Sequence, residues 1–149
     1  MMRIITGKAR GCKLYTLEGT ETPRPTTERV KQAIFSMIQF DIEGRDVLDL
    51  FGGTGQLGIE ALSRGAERAV FVDASEDSIK IVRKNVEKTG MNLQSKVIRS
   101  EYGEFIKSAG KRGMKFDFIF ADPPYELPNL ETLPDLIFEK ELLKEGGIF

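Results

Sequence analysis

The chain of 149 residues contains no histidine and no tryptophan, and its single cysteine is Cys12. Without histidine, imidazole-based catalytic triads, imidazole general bases and the usual zinc sites are excluded, so no metal is expected. One cysteine excludes an internal disulfide and fits a reducing compartment. No apolar run approaches membrane-spanning length, and the start Met1-Met2-Arg3-Ile4-Ile5 lacks the apolar core of a signal peptide; a cytoplasmic location is the expectation. A strong net charge is missing too, with 22 Lys and Arg against 23 Asp and Glu. Chemistry must come from carboxylates, backbone groups, tyrosine, lysine or a bound cofactor.

The charge is unevenly placed. Between Met1 and Ile34 stand seven basic residues (Arg3, Lys8, Arg10, Lys13, Arg24, Arg29 and Lys31) and three acidic ones, Glu18, Glu21 and Glu28. The remainder of the chain is net acidic. This asymmetry suggests a basic face with phosphate as its partner, although a solvated, lysine-rich hairpin accounts for the charge equally well.

The local pattern predicts short strands at Arg3 to Thr6 and Lys13 to Leu17, joined through Gly7 and Gly11. Pro23 and Pro25 bracket Arg24 in a stiff loop. Thr26 or Thr27 then caps a helix with Glu28 in its first turn. Val30, Ala33, Ile34, Met37 and Ile38 recur at helical spacing and are expected to face the core. From Arg45 onward strand and helix alternate. Strands are expected at Val47 to Phe51, Ala69 to Val72, Lys96 to Arg99 and Phe116 to Ala121. Helices are expected at Gln56 to Arg64, Glu76 to Thr89 and Gly103 to Ala109. Leu130 to Leu143 reads as mostly helical, and a further strand starts at Gly146. Alternation of this kind implies an α/β fold, a mostly parallel sheet covered by helices. The expected organisation is a single domain over 1–149, with a basic hairpin and loop at 1–25 and an α/β core at 26–149. A sheet ending there would leave the fourth strand with an open apolar edge, so further strands are expected beyond Phe149.

Two stretches carry the chemistry. Asp49-Leu50-Phe51-Gly52-Gly53-Thr54-Gly55-Gln56-Leu57-Gly58 joins the first sheet strand to its helix. Gly53, Gly55 and Gly58 fit G-x-G-x-x-G, and Asp73 stands 20 residues after Gly53, at the end of the second strand. That is also the spacing of a dinucleotide site, so an NAD-dependent oxidoreductase stays open. Asp49 points the other way: a carboxylate beside the loop repels a pyrophosphate but suits S-adenosylmethionine, which has no phosphate and carries a cationic amine and sulfonium. The plainer alternative is that Asp49 only caps the turn and the glycines only pack helix against strand. Glu101 and Tyr102 follow the third strand, where an adenine could lie; Glu101 could equally be a helix-start residue.

The second stretch is Phe118-Ile119-Phe120-Ala121-Asp122-Pro123-Pro124-Tyr125. An apolar strand ends in a carboxylate, two prolines that stiffen the backbone, and an aromatic ring. A ring to stack on a base beside acceptors for an exocyclic N–H suits chemistry on a nucleobase amine. A strand-ending turn with a packed tyrosine is the simpler alternative.

On four segments the chain resembles the bacterial methyltransferases that modify the exocyclic N2 of a guanine in 16S ribosomal RNA, the small-subunit methyltransferase D type. They are Arg3-Ile4-Ile5-x-Gly7-x-x-Arg10-Gly11, Arg24-Pro25-Thr26-Thr27-x-Arg29-Val30, the run from Asp49 to Gly65, and Asp122-Pro123-Pro124-Tyr125. The resemblance implies a Rossmann-like class I methyltransferase fold and S-adenosylmethionine as cofactor. Asp49, Phe51, Gly52, Gly53, Thr54 and Gly55 would then hold its methionine part, Asp73 and Ala74 its ribose, and Glu101 and Tyr102 its adenine. Asp122, Pro123, Pro124 and Tyr125 would hold the target amine. Arg3, Arg10, Lys13, Arg24, Thr26, Thr27 and Arg29 would contact RNA. The implied partner is 16S rRNA or the assembling small ribosomal subunit, acted on by a monomer with no membrane attachment. A DNA adenine-N6 or cytosine-N4 methyltransferase shares the Asp-Pro-Pro-Tyr tetrad, and an inactive RNA-binding module is a further alternative.

Overall fold

A computed structural model describes residues 3–15, 25–51, 53–121 and 130–148, with backbone only at 25–28, 130 and 145–148. Five parallel strands form one sheet in the order β3-β2-β1-β4-β5: β1 is Asp46–Leu50, β2 Arg68–Asp73, β3 Ser95–Arg99, β4 Phe116–Ala121 and β5 Leu143–Ile148. The helices are α1 (Pro25–Ile38), α2 (Gln56–Ser63), α3 (Glu76–Lys88), α4 (Tyr102–Lys111) and α5 (Leu133–Glu139). This is a Rossmann-like α/β fold.

Alternation along the strands divides the interior into two cores. Val47, Ala69, Phe71, Phe118 and Phe120 face one side, where they meet Phe35 and Ile38 of α1, Ile59 and Leu62 of α2, and Val82 and Val86 of α3. Leu48, Leu50, Val70, Val72 and Ile119 face the other, under Phe105 and Ile106 of α4 and Ile137 of α5. Both faces of β1, β2 and β4 are covered, which is why their sequences read as near-continuous apolar runs. α3 starts at Ser75, whose hydroxyl accepts from the Ser78 N–H, with Glu76 and Asp77 complementing the helix dipole.

Residues 3–15 close the first core with Ile4 and Leu14, both fully buried. Two short strands are expected here, but one antiparallel bridge forms, between Arg3 and Lys13. The reason is where the N–H groups go. Those of Ile5 and Thr6 donate to the Glu60 carboxylate, that of Lys8 to the Ser63 carbonyl and that of Ala9 to the Ser63 hydroxyl. A ladder that spends its donors on α2 cannot extend.

Other expectations shift. The first helix begins at Pro25, so Thr26 and Thr27 lie inside its first turn instead of capping it. A proline suits that position because its missing N–H has no partner to lose. The predicted core stripe of α1 is met at Ile34 and Ile38 but is otherwise rotated. Val30 and Met37 are 56% and 82% exposed and Ala33 also faces outward, whereas Phe35, Ile38 and even Lys31 are buried. β1 stops at Leu50, because Phe51 turns into the left-handed region with φ 58°. Leu130 to Leu143 is mostly helical, as expected, through a 3-10 turn (Leu130–Thr132) and α5. β5 starts at Leu143, not Gly146, and pairs with β4 through a register shift. The edge of β4 is thus covered, and β5 lies at the edge of the sheet.

Candidate functional site

β1 leads through α2 to β2 on one side of it, and β4 lies on its other side. The strand order therefore reverses between β1 and β4. A crevice opens at the carboxyl ends of the strands at such a point, and ligands of open α/β sheets bind there. Leu50 is the register partner of both Val72 and Ala121. The carboxyl ends of β1 and β4 thus lie side by side.

The loop is held by a few specific bonds. Phe51, Gly53 and Gly55 all have positive φ (58°, 59° and 82°), and for phenylalanine that is uncommon. The Phe51 ring packs against Tyr102 at 5.2 Å, which ties the loop to the start of α4. Gly58 sits over the sheet so closely that a Cβ there would lie 2.3 Å from the Phe71 ring. The third glycine of the motif therefore sets the approach of α2 to β2.

Asp49 is 2% exposed, and its Oδ2 accepts from the Gly58 N–H at 3.0 Å. Gly55, at the N-cap of α2, has no side chain to offer, so Asp49 supplies the missing cap from the neighbouring strand. The capping alternative for Asp49 is thereby met. Its carboxylate fixes the loop from behind and neutralises the amino end of α2. A helix end already neutralised by its own acid is a poor pyrophosphate cradle, which counts against the dinucleotide reading.

Asp73 terminates β2 with its carboxylate accepting from the Gly53 N–H (3.1 Å) and the Ser75 N–H (2.9 Å). It is partly exposed at the carboxyl edge, where Ala74 is exposed. Glu101 caps α4, its Oε2 accepting from the Glu104 N–H at 3.0 Å, and it remains exposed. The helix-start role is thus real, and it leaves the carboxylate at the surface. Thr54 offers its carbonyl to the Asn85 amide at 2.8 Å. Together these place an open backbone loop, two accessible carboxylates and an aromatic pair along the ends of β1, β2 and β3. That arrangement fits a nucleoside with ribose hydroxyls and an amine to donate.

Of the expected phosphate contacts, Arg3, Arg10, Lys13 and Arg29 are all exposed. Thr26 and Thr27 lie in α1. Arg24, Gly52, Asp122, Pro123, Pro124 and Tyr125 lie outside the described residues.

Sequence reasoning does not assign roles to Glu60, Ser63, Lys31 or Asn85. Glu60 is wholly buried. Besides the two N–H groups of the amino-terminal segment, it meets Lys31 Nζ at 3.3 Å and Arg64 Nε at 2.9 Å. Lys31, itself 2% exposed, also donates to the Arg3 carbonyl at 2.9 Å. A charged residue inside the apolar run Ile59-Glu60-Ala61-Leu62 is the signal that could have exposed this cluster.

The family described as "Conserved hypothetical protein 95" matches residues 2–149. The chain is 42% identical to the "Putative rRNA methyltransferase YlbH" of Bacillus subtilis, over 98% of this chain and 79% of that protein. It is 34% identical to the "Ribosomal RNA small subunit methyltransferase D" of Haemophilus influenzae, over 99% and 76%. Among solved structures, the "Putative methyltransferase yhhF" of Escherichia coli superposes with a TM-score of 0.83 at 31% identity, covering 96% of this chain and 76% of that one. A structure of "SMU.776, a putative methyltransferase complexed with SAH" gives a TM-score of 0.67 at 25% identity, over 78% and 33%.

Proposed function

The chain belongs to the family described as "Conserved hypothetical protein 95", and we propose on that premise that it transfers the methyl group of S-adenosylmethionine to ribosomal RNA, at the exocyclic N2 of a guanine in 16S rRNA. The observation that carries the reading is the glycine loop at the reversal point of the sheet, braced by Asp73 and flanked by the end of β4, where Asp122 follows Ala121 in the sequence. Relatives whose names specify small-subunit rRNA methylation support the choice of polymer. The guanine amine rests on the resemblance of the four segments.

When bound, the cofactor supplies an electrophilic methyl on a sulfonium. The loop at Gly53 to Gly55 lets that ligand approach the backbone, Asp73 accepts from its ribose hydroxyls, and Glu101 accepts from its adenine amine. An exocyclic guanine amine is a poor nucleophile because its lone pair is delocalised into the ring. Asp122 and the Pro123 carbonyl accept its two N–H bonds and concentrate charge on nitrogen; Tyr125 stacks on the extruded base. Orientation and electrostatics are the protein's contribution. Arg3, Arg10, Lys13, Arg24, Thr26, Thr27 and Arg29 hold the RNA backbone.

The test is transfer of labelled methyl from S-adenosylmethionine to 16S rRNA, free and within small subunits, followed by mapping of the modified base. Label at guanine N2 is expected, lost in Asp122→Ala while S-adenosylhomocysteine still binds. Label on another base would overturn the guanine assignment. Preferential binding of NAD would overturn the cofactor.

A further inference from the structure

Asn85, on the buried face of α3, joins the amino-terminal segment to the glycine loop by hydrogen bonds. It is 0% exposed. Its Oδ1 accepts from the Tyr15 N–H at 2.6 Å, and its Nδ2 donates to the Tyr15 carbonyl at 3.0 Å and to the Thr54 carbonyl at 2.8 Å. Both amide hydrogens are thereby committed, one to each partner. An aspartate could not donate and a leucine could do neither, so the junction needs an amide. Tyr15 stands at the end of the segment that carries Arg3, Arg10 and Lys13, and its own ring lies under the Lys88 ammonium at 4.7 Å. Thr54 lies between the two left-handed glycines of the loop.

We propose that Asn85 is a positioning residue that couples cofactor occupancy of the glycine loop to the seating of the RNA-binding segment, an inference that rests on the function proposed above. A ligand that fixes the Thr54 carbonyl fixes one Asn85 hydrogen. The amide plane is rigid, so its other hydrogen and its oxygen are aimed at Tyr15 at the same moment. Linkage makes the effect reciprocal: RNA that holds the basic segment holds Tyr15, and with it the loop in its ligand-ready form. The cofactor and the RNA thus favour each other without touching.

The experiment is amide hydrogen exchange on the whole chain with and without S-adenosylhomocysteine. Saturating ligand is expected to slow exchange at Tyr15 by about five-fold or more, the lower end of typical coupling between sites. In Asn85→Ala the ligand still binds, but the slowing at Tyr15 disappears while that at Gly53 persists. Tyr15→Pro removes the N–H from the surface side and leaves α3 intact. It is expected to weaken S-adenosylhomocysteine binding by a similar factor, and it keeps the question answerable if Asn85→Ala fails to fold. Unchanged exchange at Tyr15 in the wild-type chain, or slowing that survives Asn85→Ala, would overturn the coupling. Failure of the wild-type chain to bind the ligand at all would instead sink the cofactor reading, and the two failures are told apart by calorimetry.

Discussion

At the scale of single residues, the glycine loop depends on groups that hold it from behind. Gly58 shows this most directly. Gly58→Ala would drive a methyl into the Phe71 ring, where contact is already 2.3 Å from an added Cβ. Either the ring or α2 must shift, and overpacking of this kind costs about 1–3 kcal/mol. Because α2 carries the glycine loop, S-adenosylhomocysteine affinity should fall with the melting temperature; calorimetry and thermal melts read both. Asp49→Ala removes the cap from α2, with an expected loss of about 0.5–2 kcal/mol in chemical denaturation and weaker cofactor binding. Glu60→Ala should be more severe, because it leaves Lys31 buried without its carboxylate and strands the Ile5 and Thr6 N–H groups. Breaking a buried pair costs about 3–5 kcal/mol. A urea midpoint unchanged in Glu60→Ala would contradict the role given to it here.

At the scale of elements, the strands and helices from β1 to β4 are legible in the sequence because their signal is local. Apolar runs, turn glycines and the Ser75 cap each act within a few residues. What could not be read is the part decided by partners far along the chain. The exposed stripe of α1 looks like a core stripe by spacing. Lys31 takes an interior place instead because Glu60 and the Arg3 carbonyl, both remote in sequence, satisfy its ammonium. Phe35 is buried because Phe120 and the Arg64 guanidinium lie against its ring. A capping role for Asp49 was legible as the plain alternative to a ligand contact, but its partner was not, since the bond to Gly58 depends on how α2 settles. The amino ends of β1, β4 and β5 hold another such cluster: Lys144 Nζ lies 2.9 Å from Asp46 and 3.1 Å from Asp117. Burial alone would raise the Asp117 carboxyl. The Asp46 N–H, the Lys144 ammonium and Arg45 outweigh it and hold the group below its ordinary value of 3.8. A depressed acid stabilises the fold above that ordinary value, and the contribution is lost as pH falls through the lower folded one. The hydrogen bond to Asp46 raises Lys144 above its ordinary 10.5, so its contribution is complete below that value and is lost as pH rises through the raised one. Asp117→Asn should therefore flatten the acid limb of stability against pH, measured by urea denaturation below pH 3.8.

At the scale of the whole molecule, a near-neutral chain presents one basic segment, and that segment is docked by hydrogen bonds to α2 and α3 rather than by a sheet of its own. Binding of 16S rRNA should weaken steeply with salt, and replacing Arg10 and Lys13 by alanine should lower the slope of log affinity against log salt by about two. A filter-binding series across salt concentrations measures it; an unchanged slope would place the RNA elsewhere on the surface.

The buried side chains of Ile4 and Leu14 have one more consequence, and it concerns time. The segment that carries them is docked on residues 60, 63 and 85, through hydrogen bonds that span 54 to 70 positions of sequence. Emerging from a ribosome, these residues appear early and wait, unpaired and apolar, until α3 has been made. The basic segment thus takes its place only once α3 has been made, and until then its lysines and arginines ride on a loose strand of chain.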